Sequence, residues 1–274
     1  MSMNSFHGRQ GRPRDEKTDK KPVERHGLLR ADALLVAQGL APSRTAAQSM
    51  IKQGRVSGPG GIIAKPALEL PADTALSIKA EEGAQYVSRG GHKLAGALAA
   101  SGISASGKQC LDIGQSTGGF TDCLLQSGAR HVVGIDVGHD QLHAQLRNNP
   151  AVTAIEGVNC RALCANDLGT AQPENGFDLI VGDVSFISLT LILPQLPALL
   201  AAQGDLLMLV KPQFEVGPGN LGKGGIVRDP ALYREVEQKL RNCAQNLGLT
   251  VKAWLDSPIQ GGDGNHEFFI WLNK

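Results

Sequence analysis

The sequence is short of the features that mark secreted, membrane-spanning or metal-tied proteins. It holds only five cysteines. These are Cys110, Cys123, Cys160, Cys164 and Cys243, an odd number with no C-x-x-C pair. That excludes a disulfide framework and leaves reduced, mostly buried small hydrophobes, with no metal site expected. A long apolar run is also missing: the longest, Ile187 to Ala202, is interrupted by Pro194 and Pro197 and is too short to span a bilayer. The start of the chain is polar and basic, without the apolar core of a signal peptide, so a cytoplasmic location and no membrane partner are expected. Net charge is nearly absent, at +1. What is present is ordinary globular material: 42% hydrophobic residues over 274 positions. That composition excludes disorder as a class, collagen and coiled coil, and the length suggests about two domains.

The near-zero net charge conceals a division. Residues 1–108 carry 16 Lys/Arg against 9 Asp/Glu, or +7, and the remainder carries 11 against 17, or −6. A basic front joined to an acidic back points to a polyanion held by the front. Residues 1–27 are polar and almost free of apolar side chains, so a disordered basic tail is expected. Residues 28–82 read as a compact α+β unit. A helix from about Arg30 to Gln38 stops at Gly39, and a second, capped by Ser43, buries Ala46, Ala47, Met50 and Ile51 and ends at Gly54. Arg44, Gln48, Lys52 and Arg55 share the polar face. Short strands follow around Arg55–Ser57, Ile62–Ala64 and Leu76–Lys79, the first two joined by Gly58-Pro59-Gly60-Gly61.

Residues 83–108 link the halves, carrying Arg89, Lys93 and Lys108 and no acid. From Gln109 onward, strands and helices alternate. Strands are expected at Gln109–Ile113, His131–Asp136, Val152–Ile155, Phe177–Gly182, Asp205–Lys211, Leu249–Leu255 and His266–Leu272. Helices are expected at Gly119–Gln126, His139–Asn148, Ala162–Leu168, Leu189–Leu200 and Pro230–Asn246. This is the pattern of a doubly wound parallel sheet. Only a loop separates the last two strands, so they should pair antiparallel, which favours a methyltransferase sheet over a dehydrogenase.

The first strand closes on Leu111-Asp112-Ile113-Gly114-Gln115-Ser116-Thr117-Gly118-Gly119-Phe120. Glycines there let backbone approach a nucleotide at a helix N-terminus. Asp136 ends the second strand, placed to accept from a ribose diol. The loop lacks the G-x-G-x-x-G spacing of pyrophosphate binders, so a nucleoside with a zwitterionic tail fits better than a dinucleotide. S-adenosylmethionine is the candidate, with Asp112 near its amino-acid end. A second group consists of Lys93, Asp183, Lys211 and Glu267. The carboxyl ends of parallel strands line one crevice, and an antiparallel last strand enters from that edge. Two lysines with two carboxylates suit attack by a weakly acidic hydroxyl, since a desolvated lysine beside another cation sheds its proton more readily. His139-Asp-Gln-Leu-His143 has zinc-helix spacing, but Asp140 stands where glutamate is required, and an exposed helix face is expected. Lys223-Gly-Gly-Ile-Val-Arg228 reads as a loop over RNA or as a plain connector.

Two resemblances join these observations. The strings Arg30-Ala-Asp-Ala-Leu-Leu-Val, Gly39-Leu-Ala-Pro-Ser-Arg44, Ile51-Lys-Gln-Gly-Arg-Val56 and Lys65-Pro66 resemble the S4-type RNA-binding module of a small-subunit ribosomal protein, pseudouridine synthases and bacterial tyrosyl-tRNA synthetases. The long Ser57–Gly61 turn departs from that module's usual Asn-Gly. From about Arg30 to Leu272 the chain resembles the TlyA family of haemolysin-like ribosomal RNA methyltransferases. The carrying phrases are Tyr86-Val-Ser-Arg-Gly-Gly, Gly114–Gly119, Asp183-Val-Ser-Phe-Ile-Ser-Leu, Lys211-Pro-Gln-Phe-Glu-Val-Gly and Lys223-Gly-Gly-Ile-Val-Arg-Asp. That resemblance implies a Rossmann-like, S-adenosylmethionine-dependent sheet similar to FtsJ-type ribose 2′-O-methyltransferases over 109–274. It also implies a Lys93-Asp183-Lys211-Glu267 tetrad, and cytidine in ribosomal RNA or ribosomal subunits as substrate. Expected cofactor contacts are Asp112, Gly114, Ser116, Thr117, Gly118, Gly119, Phe120 and Asp136; expected RNA contacts are Arg30, Arg44, Lys52, Arg55 and Arg89. The alternatives are a membrane-active cytolysin and an assembly factor that binds RNA without catalysis.

Overall fold

The computed structural model describes residues 27–41, 44–52, 54–79 and 85–274. The expected tail up to residue 26, the Ser43 cap and the side chain of Ala46 lie outside them. The chain forms two compact units that divide after Lys79.

In the smaller unit, β1 (Leu28–Arg30) leads directly into α1 (Ala31–Ala37), and α2 (Arg44–Lys52) follows. Gly39 and Gly54 adopt φ of +67° and +69° where the helices stop, the left-handed conformation that glycine enters without a Cβ clash. Then come β2 (Val56–Gly58), β3 (Gly61–Ile62), β4 (Glu69–Pro71) and β5 (Ser77–Ile78). The sheet order is β3-β2-β5, and Gly58 pairs with Gly61 across the Pro59-Gly60 turn. β1 pairs antiparallel with β4 in a separate ribbon; neither strand was expected, since three residues carry too little periodicity to read. Ala31, Leu34, Leu35, Ala47, Ile51 and Val56 form the core.

The larger unit opens with α3 (Gly90–Ser101), inside the stretch expected to link the halves and begin the catalytic domain. Its Leu94, Ala97 and Leu98 are buried against the sheet. The remaining elements are β6 (Gln109–Ile113), α4 (Gly119–Gln126), β7 (His131–Asp136), α5 (Ala144–Arg147), β8 (Val152–Glu156), α6 (Ala165–Leu168), β9 (Phe177–Gly182), β10 (Leu200–Val210), α7 (Pro230–Asn246), β11 (Thr250–Asp256) and β12 (Phe268–Asn273). They build a seven-stranded sheet of order β11-β12-β10-β9-β6-β7-β8. β12 runs antiparallel to both β10 and β11, and the other described pairings are parallel. The strand order reverses between β6 and β9, the switch point where open α/β sheets bind ligands.

Three expected helices are shorter or absent. His139–Asn148 reduces to Ala144–Arg147: Asp140 sits at φ +55°, and His143 is extended and accepts from the Gln145 N–H through Nδ1. His139 and His143 therefore do not share a helix face. Leu189–Leu200 becomes two 3-10 turns, Leu189–Leu191 and Leu193–Ala198, because Pro194 and Pro197 remove the N–H groups an α-helix needs. Ala162–Leu168 becomes a 3-10 turn at Cys160–Ala162 followed by the one-turn α6. The cysteines are free, as expected, but only Cys110 and Cys123 are buried; Cys160 and Cys243 are half-buried and Cys164 is exposed.

Candidate active site

Lys93 lies in the first turn of α3, and Glu267 immediately precedes β12. Their side chains meet with Lys93 Nζ 2.5 Å from Glu267 Oε2, at 10% and 3% exposure. Lys211 follows β10 and Asp183 follows β9. Lys211 Nζ is 2.5 Å from Asp183 Oδ1 and donates to Ser185 Oγ at 2.7 Å. Parallel strands β9 and β10 deliver the second pair from one sheet edge. The antiparallel β12 delivers Glu267, because its start faces the same way as their ends, and the first turn of α3 brings Lys93 to it. The four residues come from positions 93 to 267, and topology alone makes them neighbours. Burial pushes the Glu267 carboxyl above the usual carboxylate range, opposed by Lys93 and Lys211.

Lys93, Lys211 and Glu267 line a cavity of about 470 Å³ together with Phe186, Gln213 and Phe214, within the size range of small-molecule and nucleotide sites. Phe186 is 90% exposed and held at φ +66°, a conformation unfavourable for a bulky residue. Its ring lies 5.2 Å from that of Phe214. Two buried groups hold the walls. The Glu215 carboxylate accepts from Ser188 Oγ at 2.6 Å, the Leu189 N–H at 2.7 Å and Lys239 Nζ at 2.8 Å, tying the loop after β9 to the loop after β10 and to α7. Asn265 Oδ1 accepts from the Val227 N–H at 3.0 Å, and its Nδ2 donates to Gly225 O at 3.1 Å. The glycine-rich segment from 221 to 228 is thereby anchored two residues before Glu267. Phe186, Gln213, Glu215 and Asn265 were missed by sequence reasoning; each stands beside an expected residue, yet carries no signal of its own in a single sequence.

The expected cofactor residues divide into accessible and enclosed groups. Asp136 accepts from the Ser116 N–H at 2.8 Å through Oδ2 and from the Gly138 N–H at 2.7 Å through Oδ1. Two backbone donors orient this half-buried carboxylate while leaving lone pairs free. Ser116 (φ +47°) is exposed, Thr117 and Gly114 are half-buried, and Val137, next to Asp136, is 71% exposed. Asp112 is fully buried. Its Oδ2 accepts from Thr121 Oγ1 at 2.7 Å and its Oδ1 has no hydrogen-bond partner, so burial pushes the carboxyl up to about 7.

Gly118, Gly119 and Phe120 are buried instead in packing. A Cβ at Gly118 would come within 2.3 Å of Leu146, and one at Gly119 within 2.9 Å of the Gly91 N. That second approach is the meeting of the starts of α3 and α4, and it leaves no room for a side chain at Gly119; at Gly91 the Tyr86 ring does the same. The Phe120 ring stacks on Phe269 in the core at 6.1 Å, so its side chain offers nothing to a cofactor.

Among the expected RNA contacts, Arg30 and Arg44 converge on Asp32, an acid that sequence reasoning passed over. Fully buried, Asp32 accepts two hydrogen bonds from Arg30 at 3.0 Å, one from Arg44 at 3.1 Å and one from Gln48 at 2.7 Å. The Arg30 hydrogen bond holds the Asp32 carboxyl well below the usual carboxylate range. Both arginines remain about half exposed. Lys52 is exposed at the end of α2, and Arg55 Nε donates to Lys79 O at 3.3 Å. Arg89 belongs to the larger unit, where it donates to Gln260 O at 3.3 Å.

Residues 86–274 match the family model of FtsJ-like methyltransferases, and residues 29–67 match the S4 domain. The chain is 45% identical over 243 residues to the 16S/23S rRNA (cytidine-2′-O)-methyltransferase TlyA of Mycobacterium tuberculosis, covering 89% of each. It is 39% identical over 240 residues to Hemolysin A of Brachyspira hyodysenteriae, covering 88% of this chain and 98% of that protein. A solved structure from Streptococcus thermophilus with a provisional hemolysin name is 40% identical, covers 90% of this chain and 89% of that one, and superposes with a TM-score of 0.69.

Proposed function

The chain belongs to the TlyA family of FtsJ-like methyltransferases, and on that premise we propose that it methylates the 2′-hydroxyl of cytidine in ribosomal RNA of one or both subunits. The observation that carries this is the convergence of Lys93, Lys211 and Glu267 on one cavity at the ends of β9 and β10, with Asp183 paired to Lys211. S-adenosylmethionine supplies an electrophilic methyl group when bound. The residues present fit it: Asp136 offers oriented acceptors to a ribose diol, Val137 an apolar face, and Asp112 a buried, unpaired carboxylate oxygen beneath the loop. Gly114, Ser116 and Thr117 would meet it at their exposed edges, whereas Gly118, Gly119 and Phe120 support that loop from below.

At the reacting end, Asp183 and Ser185 fix Lys211 Nζ from two directions. The proton of the substrate hydroxyl passes to the Lys211–Asp183 pair, with Lys211 as the proposed acceptor once it is the neutral amine, and Lys93 with Glu267 closes the opposite side. Such general-base help contributes about 10²–10⁴-fold. The exposed Phe186 ring offers a stacking face to an unpaired base, the usual means of gripping single-stranded RNA. The unit ending at Lys79 is the RNA anchor, with Arg30, Arg44, Lys52 and Arg55 as phosphate contacts and Arg89 contributing from the catalytic unit.

No helix among the described residues is long and apolar enough to cross a membrane, and we place the protein in the cytoplasm with the ribosome. Mapping 2′-O-methylation in ribosomal RNA from cells with and without the gene tests the proposal: a 2′-O-methylcytidine should disappear. Identical maps, or vesicle leakage caused by the purified protein, would overturn it.

A further inference from the structure

Gln213 stands two residues after Lys211, in the 3-10 turn Pro212–Phe214, and lines the same cavity as Lys93, Lys211 and Glu267. Its side chain is buried, 9% exposed, yet the carboxamide Oε1 has no hydrogen-bond partner among the described residues. A buried acceptor without a partner is destabilising and rare, so its presence calls for a ligand that completes it. Phe186 and Phe214 flank the same space. Aromatic walls beside an open amide are what a splayed-out base requires: a stacking face, and a polar group for its edge.

We propose that Gln213 hydrogen-bonds the base edge of the nucleotide whose ribose is methylated. This rests on the methyltransferase proposal above. A carboxamide sets an acceptor beside a donor. Cytosine presents the complement, an exocyclic amino donor beside the N3 acceptor. Uracil presents the same two groups in reversed order, which the amide meets by turning over, so the contact grips a base edge without ranking cytosine over uracil. Glu215 and the turn itself hold the segment next to Gln213, which keeps the residue in the cavity wall.

The test uses full-length protein, labelled S-adenosylmethionine and ribosomal subunits from cells lacking the gene. Gln213→Leu and Gln213→Met keep most of the volume and remove both polar ends. A good bidentate base contact is worth roughly 1–3 kcal/mol, so kcat/KM for subunits should fall about tenfold to a hundredfold. S-adenosylmethionine affinity by calorimetry should stay at the wild-type value. The Tm of both variants should equal or exceed that of wild type, because an unpaired buried amide has been removed. Full kcat/KM in both variants, or a lowered Tm in both, would overturn the assignment, the latter by making Gln213 a fold residue. If wild-type protein labels no 2′-O-methylated nucleoside, the methyltransferase proposal itself falls.

Discussion

Asp112 should make the larger unit less stable as pH rises. Its carboxyl is fully buried beneath the glycine loop, with one oxygen on Thr121 and the other unpaired. Burial is the main cause that raises it from 3.8 to about 7; the Thr121 hydrogen bond works against this, and the nearby Asp183 carboxylate adds to it. In the unfolded chain the group titrates near its ordinary value, so across this interval the folded protein holds the proton more tightly. The stability it contributes is complete below about pH 4 and lost as pH climbs through about 7. The interval corresponds to about 4 kcal/mol, an upper figure, since an unpaired buried polar group ordinarily costs about 1–3 kcal/mol. Asp112→Asn removes the titration. The Tm of the variant minus that of wild type should therefore grow between pH 4.5 and 8, by about 2–4 °C per kcal/mol for a unit of this size. The two tryptophans, Trp254 and Trp271, both lie in strands β11 and β12 of this unit. Intrinsic fluorescence thus follows its unfolding without interference from the smaller one. A Tm difference that stays constant across the range, or shrinks as pH rises, would refute the assignment of a buried, high-titrating carboxyl.

Lys211→Ala should reduce single-turnover methyl transfer by about a hundredfold or more with cofactor affinity retained. Lys211→Arg should fail nearly as badly, because a guanidinium does not release its proton; full turnover with arginine would make Asp183 the base. Asp136→Ala removes a charged acceptor worth about 1.5–3 kcal/mol, so calorimetry should show S-adenosylmethionine affinity about tenfold lower or worse, and unchanged affinity would place the cofactor elsewhere. Asp32→Asn adds net positive charge, yet RNA binding should weaken, because Arg30 and Arg44 lose the buried carboxylate that holds them together; tighter binding in a filter assay would refute this. Removing residues 1–82 should leave cofactor binding intact while weakening RNA binding and flattening its salt dependence.

The repeating parts of the fold were legible because their signal is local. Gln109–Ile113, His131–Asp136 and Phe177–Gly182 are mostly apolar segments of strand length, and Pro230–Asn246 begins on an Asp cap with proline in the first turn. Their register in the sequence is their register in the fold. What failed was decided by competition. Residues 139–148 and 189–200 have helical apolar spacing, but Asp140 in the left-handed region and two prolines override it. The glycines after β6 were read as room for a nucleotide. Gly118 and Gly119 answer also to Leu146, Ser88 and Gly91, partners that only the folded chain identifies. Phe120 was read as a cofactor contact for the same reason, its position beside the loop, although its ring turns into the core.

The charge division seen in the sequence acquires a physical cause from the site. Lys93 and Glu267 are almost fully enclosed, and Lys211 nearly so. Charges taken that far out of water persist only when compensated, which is why two lysines arrive with two carboxylates and the cluster sums to zero. A neutral cluster neither repels nor attracts a polyanion. Enough uncompensated positive charge there to grip RNA would have to be desolvated, at several kcal/mol per ion. The grip must therefore come from solvent-exposed cations, which keep their hydration and gain affinity by releasing counterions from the nucleic acid. The front of the chain supplies them: Arg30 and Arg44 are about half exposed and Lys52 is exposed. Even there a buried acid, Asp32, orients two of those arginines while leaving them about half exposed. Separating the basic module from the acidic sheet thus follows from what burial costs a charge.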